Sequence, residues 1–131
     1  MTSKELSQIY YLRKEIRYLE DTLNELRAKA EKITTSFSAV RGGSSHGDKI
    51  ASLVVKMDEL EQKIYSKKTD CVLEQLKIER YLDEIDNSFI RQIFRYRHIN
   101  CFTWNKIAFI VGGGNTADSL RKIHDRYIKN N

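Results

Sequence analysis

WNKIAFIVGGGNTADSLRKIHDRY, residues 104–127, sets three consecutive glycines between two short segments of helical periodicity. Trp104, Ile107, Ala108 and Val111 recur at the spacing of one helix face, and Thr103 ahead of them is a residue type that caps helices. Beyond the glycines, Leu120, Ile123 and Tyr127 form a second apolar stripe, with Ala117 as a smaller contact and Asn115 or Thr116 in position to cap. Gly112, Gly113 and Gly114 permit backbone angles that bulky residues avoid, so the spacing predicts two short helices meeting across a sharp turn. A phosphate-cradling loop is the competing explanation, and it fails on composition. VGGGNTADS lacks the lysine of GxxxxGK[ST], contains no GxGxxG, and follows a helical pattern where those loops follow a strand.

Immediately upstream, Phe89, Ile90, Ile93 and Phe94 make the apolar side of another short helix, which carries Arg91, Arg95 and Arg97. HINCFT, residues 98–103, interrupts that pattern. Residues 87–131 are therefore expected to form a three-helix domain around Trp104, Ile107, Ala108, Leu120, Ile123 and Tyr127, with Trp104 at its centre.

Residues 1–86 read differently. Ile9, Leu12, Ile16, Leu19, Leu23, Leu26, Ala30 and Ile33 alternate three and four apart, a heptad seam with charges between its apolar positions. The polar stretch TTSFSAVRGGSSHGD is where the chain is expected to reverse. A second seam runs through Ile50, Leu53, Met57, Leu60 and Ile64; Lys67 then takes an apolar position, and a new register through Ile78, Leu82, Ile85 and Phe89 implies a shift between Lys67 and Leu76. Helices of about 40 and 50 Å cannot be compact alone. The expected fold is all-α: a long antiparallel helical hairpin over 1–86 followed by a three-helix helix-turn-helix domain over 87–131. Seams this alike also suit pairing between chains, so a homo-oligomer is a further expectation.

Charge divides at the same boundary. Residues 1–86 hold 15 basic and 16 acidic residues, net −1, whereas residues 87–131 hold 8 basic and 2 acidic, net +6. A basic C-terminal domain on a near-neutral partner is the electrostatic footprint of nucleic-acid binding. Cys71 and Cys101 stand 30 positions apart and read as free thiols. The absence of a long apolar run and the early charges of MTSKELSQIYYLRKEI point to a soluble cytoplasmic chain that makes no membrane contact. No HExxH, histidine cluster or nucleophilic triad is present, and His98 with Cys101 does not complete a zinc site; neither catalysis, metal nor cofactor is expected.

RYRHINCFTWNKIAFIVGGG followed by LRKIH resembles the C-terminal region of a family of small phage and prophage proteins, largely of unknown function, whose helix-turn-helix is similar to region 4 of sigma factors. Arg95 and Tyr96 match the family's residues before the turn. Trp104, Ile107 and Ala108 match its second helix, and Ile123 and His124 its recognition helix. The likeness covers the last 45 residues and extends loosely over the heptad-rich remainder. Gly112 and Leu120 lie eight apart, leaving about two more residues in the turn than the family pattern has. The resemblance implies DNA-linked regulation of phage or mobile-element transcription, related in architecture to late-gene regulators, in a bacterial host and on its nucleoid.

Contact chemistry then nominates residues. Thr103, Lys106, Arg121, Arg126 and Lys129 are phosphate-contact candidates on double-stranded DNA, and Asn115, Ser119 and Lys122 are base-contact candidates on the early face of the recognition helix. Two other functions fit the same features. One is a phage DNA-packaging recognition subunit; the other is a non-catalytic coiled-coil interaction module that contacts a protein such as RNA polymerase.

Overall fold

In a computed structural model, residues 1–39 and 44–131 are described, with side chains for 1–36 and 47–131. The chain is all-α, and no strand occurs among the described residues. In order come α1 (Ser3–Leu6), α2 (Gln8–Ala39), α3 (Ser44–Asp83), α4 (Ser88–Phe94), a π-helical turn (Arg95–Ile99), α5 (Trp104–Val111) and α6 (Ala117–Asn130). None of the described helices is long and apolar enough to cross a membrane.

Both long helices reach further than their seams. Thr34 and Thr35, expected in the connector, lie inside α2, where their hydroxyls donate to the carbonyls of Ala30 and Glu31 one turn back. Such local bonds let polar β-branched residues continue a helix at small cost. α3 already runs from Ser44, so only residues 40–43 remain for the expected reversal, and they lie outside the described residues. At the other end, Thr2 and Glu5 close a capping box over α1: the Glu5 carboxylate accepts from the Thr2 N–H at 2.7 Å, and the Thr2 hydroxyl accepts from the Glu5 N–H.

The chain divides into two compact units, Met1–Leu12 with Asp70–Asn131, and Arg13–Thr69. That division falls within α2 and α3. In the Arg13–Thr69 unit, Leu19, Leu23 and Ile64 are buried together, flanked by Ile16, Met57 and Leu60. Ion pairs line the flanks: Glu15 with Lys67 at 3.2 Å, Glu20 with Lys68 at 3.1 Å and Arg27 with Glu61 at 3.0 Å. Partners thus fall from 67 and 68 to 61 on α3 as they rise from 15 and 20 to 27 on α2. Each buried Leu or Ile contributes roughly 1.5–3 kcal/mol, against roughly 0.2–1 kcal/mol for an exposed ion pair. The apolar stripe therefore holds this unit and the charges set its register.

The other unit holds the larger core. Leu6, Ile9, Ile78, Leu82, Ile85, Phe94 and Ile99 are buried in one cluster. Residues expected to lie in the hairpin, at both ends of 1–86, thus share a core with residues beyond 87. Ile93, Ile107 and Leu120 form a second cluster with Trp104, Ala108 and Ile123 at its margin. Two sequence expectations change here. Trp104 is half-buried, and the centre is the trio of branched side chains. Tyr127 packs on the first cluster, its ring 5.4 Å from that of Phe94. α6 packs against both α4 and α5, so its successive turns meet different neighbours.

The expected register shift in α3 is absent. Met57, Ile64, Cys71 and Ile78 follow one another at seven-residue intervals in an unbroken helix, Ile85 continues the interval just past its end, and Cys71 packs against the first cluster as a small apolar residue. Only the flank changes, from Leu60 three residues after Met57 to Leu82 four after Ile78. A straight helix drifts by about 20° per heptad, which accounts for this. Lys67 is kept beside the seam by its bond to Glu15.

Phe94→Ala should lower unfolding free energy by about 3–5 kcal/mol, the usual cost of emptying a buried aromatic site. Arg27→Ala should change it by less than about 1 kcal/mol. Urea titrations followed by circular dichroism check both values.

Candidate nucleic-acid interface

The junction between α5 and α6 is built from local hydrogen bonds. Thr103 caps α5, its hydroxyl accepting from the Lys106 N–H at 3.2 Å. Gly112, Gly113 and Gly114 then take φ values of 63°, 64° and 78°, a run of left-handed geometry that L side chains rarely adopt. Asn115 closes the turn: its backbone N–H and its side-chain amide both donate to the Gly112 carbonyl, the latter at 2.8 Å. Thr116 and Ser119 form a reciprocal cap over the first turn of α6, at 3.1 and 2.9 Å.

These bonds occupy two of the three base-contact candidates. One amide hydrogen of Asn115 belongs to the turn. The Ser119 hydroxyl accepts from the Thr116 N–H and donates to the Thr116 carbonyl, so it retains only acceptor capacity toward a ligand. Lys122 is the exposed one, 68% accessible at its side chain, with its ammonium 3.0 Å from Asp118. Asp118 also binds Arg121 at 2.7 Å, and the two cations hold its carboxyl below the ordinary carboxylate range.

An open hollow of about 450 Å³ lies at the N-terminal ends of α5 and α6, lined by Arg97, Thr103, Trp104, Asn105, Ala117, Asp118 and Arg121. It brings together two of the phosphate-contact candidates, Thr103 and Arg121. Arg97 and Asn105 join them, which sequence reasoning had not nominated. Asn105 carried no signal beyond its position in the first turn of a helix; Arg97 sits seven residues before Trp104 across a break whose shape periodicity does not give. Two helix N-termini and two guanidinium groups suit an anion, with Asp118 as the opposing charge. Lys106 stands apart, its ammonium 3.9 Å from the centre of the Phe102 ring. Arg126 and Lys129 are exposed on later turns of α6 and do not line the hollow.

Three arginines of the basic segment are engaged within the fold. Arg91 donates to the Ile85 carbonyl at 2.7 and 3.0 Å, and Arg95 binds both oxygens of Glu79. Arg97 donates to the Phe102 carbonyl and lies 4.7 Å over the Trp104 ring. Outward charge therefore rests mainly with Lys106, the basic residues of α6 and Arg97 where it lines the hollow.

Behind the hollow lies a buried polar pair that the sequence did not disclose. The Nε2 atoms of His98 and His124 are 2.8 Å apart, walled by Phe94 and Trp104, and His124 Nδ1 lies 2.9 Å from Asp125. The π-helical turn carries His98, 6% exposed, inward to this position. Burial pushes its pKa down to about 3, assisted by the proximity of His124 and Arg97. Burial also lowers that of His124, while Asp125 opposes the shift. Among the described residues, no group of three or more His, Cys, Asp or Glu side chains is arranged to hold a metal ion, and neither cysteine forms a disulfide.

Comparisons with protein-family models, curated proteins and solved structures returned no match.

The histidine pair makes stability pH-dependent. An unfolded histidine takes up a proton near pH 6.5, whereas folded His98 resists until about pH 3. The unfolded chain binds more protons across that window, so stability falls as pH falls through it. Melting temperature should therefore drop between about pH 6.5 and pH 5, before most carboxylates titrate. Differential scanning calorimetry should find this drop reduced in His98→Gln and further reduced when His124→Gln is added.

Proposed function

We propose that residues 87–131 form a sigma-region-4-like helix-turn-helix that binds double-stranded DNA with sequence preference, carried on an antiparallel helical hairpin, in the regulation of phage or mobile-element transcription. The α5–α6 junction carries this reading: a sharp turn between two capped helices, with a cationic hollow at their N-terminal ends. The descending partners between α2 and α3 support the hairpin.

In this proposal the hollow seats a backbone phosphate. Arg97 and Arg121 supply charge, while Thr103, Asn105 and the first N–H groups of α5 supply hydrogen bonds. Arg126 and Lys129 extend the phosphate track along α6. Lys122 reads a base edge, exchanging its bond to Asp118 for guanine O6 or N7, and Asn115 offers its remaining amide hydrogen and carbonyl nearby. Ser119 contributes through its cap, which sets the direction of α6.

The test selects genome fragments bound by the full-length protein and titrates the preferred duplex at several salt concentrations. Affinity should fall linearly with salt on logarithmic axes. Lys122→Ala should cost about 1–3 kcal/mol on the preferred site and narrow its margin over other sequences. Absence of both salt-sensitive binding and duplex preference would overturn the proposal.

One observation favours a protein contact by the same helices. Phe109 on α5 is 89% exposed, beside Ile110 at 42%. A protein such as RNA polymerase would cover this surface. Phe109→Ala should then weaken polymerase capture while leaving binding to DNA alone unchanged.

A further inference from the structure

Between Asp70 and Arg80, α3 has a side that the core does not use. Cys71 and Ile78 face the first apolar cluster. At 100° per residue, Asp70, Leu73, Lys77 and Arg80 fall together on another side, flanked by Glu74 and Leu76. Leu73 and Leu76 are 53% and 50% exposed. They line a groove of about 470 Å³ between α3 and the Gln8 and Leu12 turn of α2, within the same compact unit. The two half-exposed leucines give the groove apolar surface between its charged residues.

The charges are segregated along the stripe. Asp70 and Glu74 occupy its N-terminal half and Lys77 and Arg80 its C-terminal half, with Glu74 and Lys77 bonded at 3.0 Å in the middle. We propose that this stripe docks against the same stripe of a second copy of the chain, α3 against α3 in antiparallel orientation. A two-fold axis near Gln75 sets Asp70 opposite Arg80 of the second copy and Leu73 opposite its Lys77, with the Leu76 of that copy one residue along. The two Glu74–Lys77 pairs then meet as a four-charge cluster around the axis. Parallel docking would oppose Asp70 to Asp70 and Arg80 to Arg80, which is repulsive. A partner of uniform charge would match one half of the stripe and repel the other. The stripe turned through 180° matches both, as an isologous interface requires. This inference does not depend on DNA binding.

Sedimentation equilibrium of the full-length protein tests it. The wild type should form a reversible dimer in the micromolar range. Leu73→Glu should raise the dimer Kd by about tenfold or more, a loss of about 1.4 kcal/mol, with helix content and melting temperature of the monomer unchanged because the side chain is exposed. Asp70→Arg and Arg80→Asp should each be monomeric alone, and mixing them should restore a dimer, since both cross-pairs then join Arg to Asp. A wild type that stays monomeric through about 100 μM overturns the proposal, being weaker than the affinities of specific complexes. So does a dimer indifferent to Leu73→Glu, or a pair of charge variants that fail to combine.

Discussion

The ring of Phe94 is the constraint on which the larger unit depends. It is fully buried and lies 6.3 Å from Tyr81 of α3, 5.6 Å from His98 of the π turn, and 4.6 and 5.4 Å from His124 and Tyr127 of α6. One side chain thus fixes the spacing of elements that are distant in sequence. Its flat faces also form the apolar wall that makes the two imidazoles expensive to charge, so packing and proton affinity are coupled at this point. The direct bond between those imidazoles then offsets part of the cost of burying polar rings. Tyr81 shows the alternative: its hydroxyl is buried without a hydrogen-bond partner, and burial raises its pKa.

Around this centre the arginines act as fasteners. Arg91 secures the carbonyls left open where α3 ends, Arg95 joins the π turn to Glu79, and Arg97 clamps the strained corner before α5. That corner includes Cys101 at φ 57°, an unusual angle for a residue with a side chain. The planar, multiply donating guanidinium serves these carbonyl and carboxylate targets better than an ammonium would. The lysines stay outside, where a mobile point charge is useful to a ligand. Net charge from the sequence therefore overstates the field available to a polyanion, although the sign remains.

The long helices were legible because three- and four-residue spacing is a direct image of helix geometry, and Leu19, Leu23, Ile78 and Leu82 are buried as their periodicity implies. Cys71 reads in sequence as a thiol, although the heptad count alone places it on the seam. The π turn was not legible: a helix that bonds five residues apart breaks the phase on which pattern reading depends, so His98 and Ile99 look like an interruption when they are helical and buried. Tyr127 shows a further limit, since periodicity gives the inward side of α6 but not which neighbour lies there. At the candidate interface, Lys122 is exposed as its position suggests. Asn115 and Ser119 are claimed by the backbone, a competition inherent in short polar side chains near helix starts.

The three glycines exclude side chains for a reason of handedness. An added Cβ would meet nothing within 4 Å at Gly112 or Gly114, and at Gly113 only the Asn115 amide at 3.6 Å. Space is available, and it is the torsion alone that disfavours an L residue. A D-amino acid has the mirror preference, with positive φ as its relaxed state. The turn is therefore a short piece of opposite-handed backbone inserted between two right-handed helices, a geometry that ribosomal synthesis reaches most cheaply with its one achiral residue.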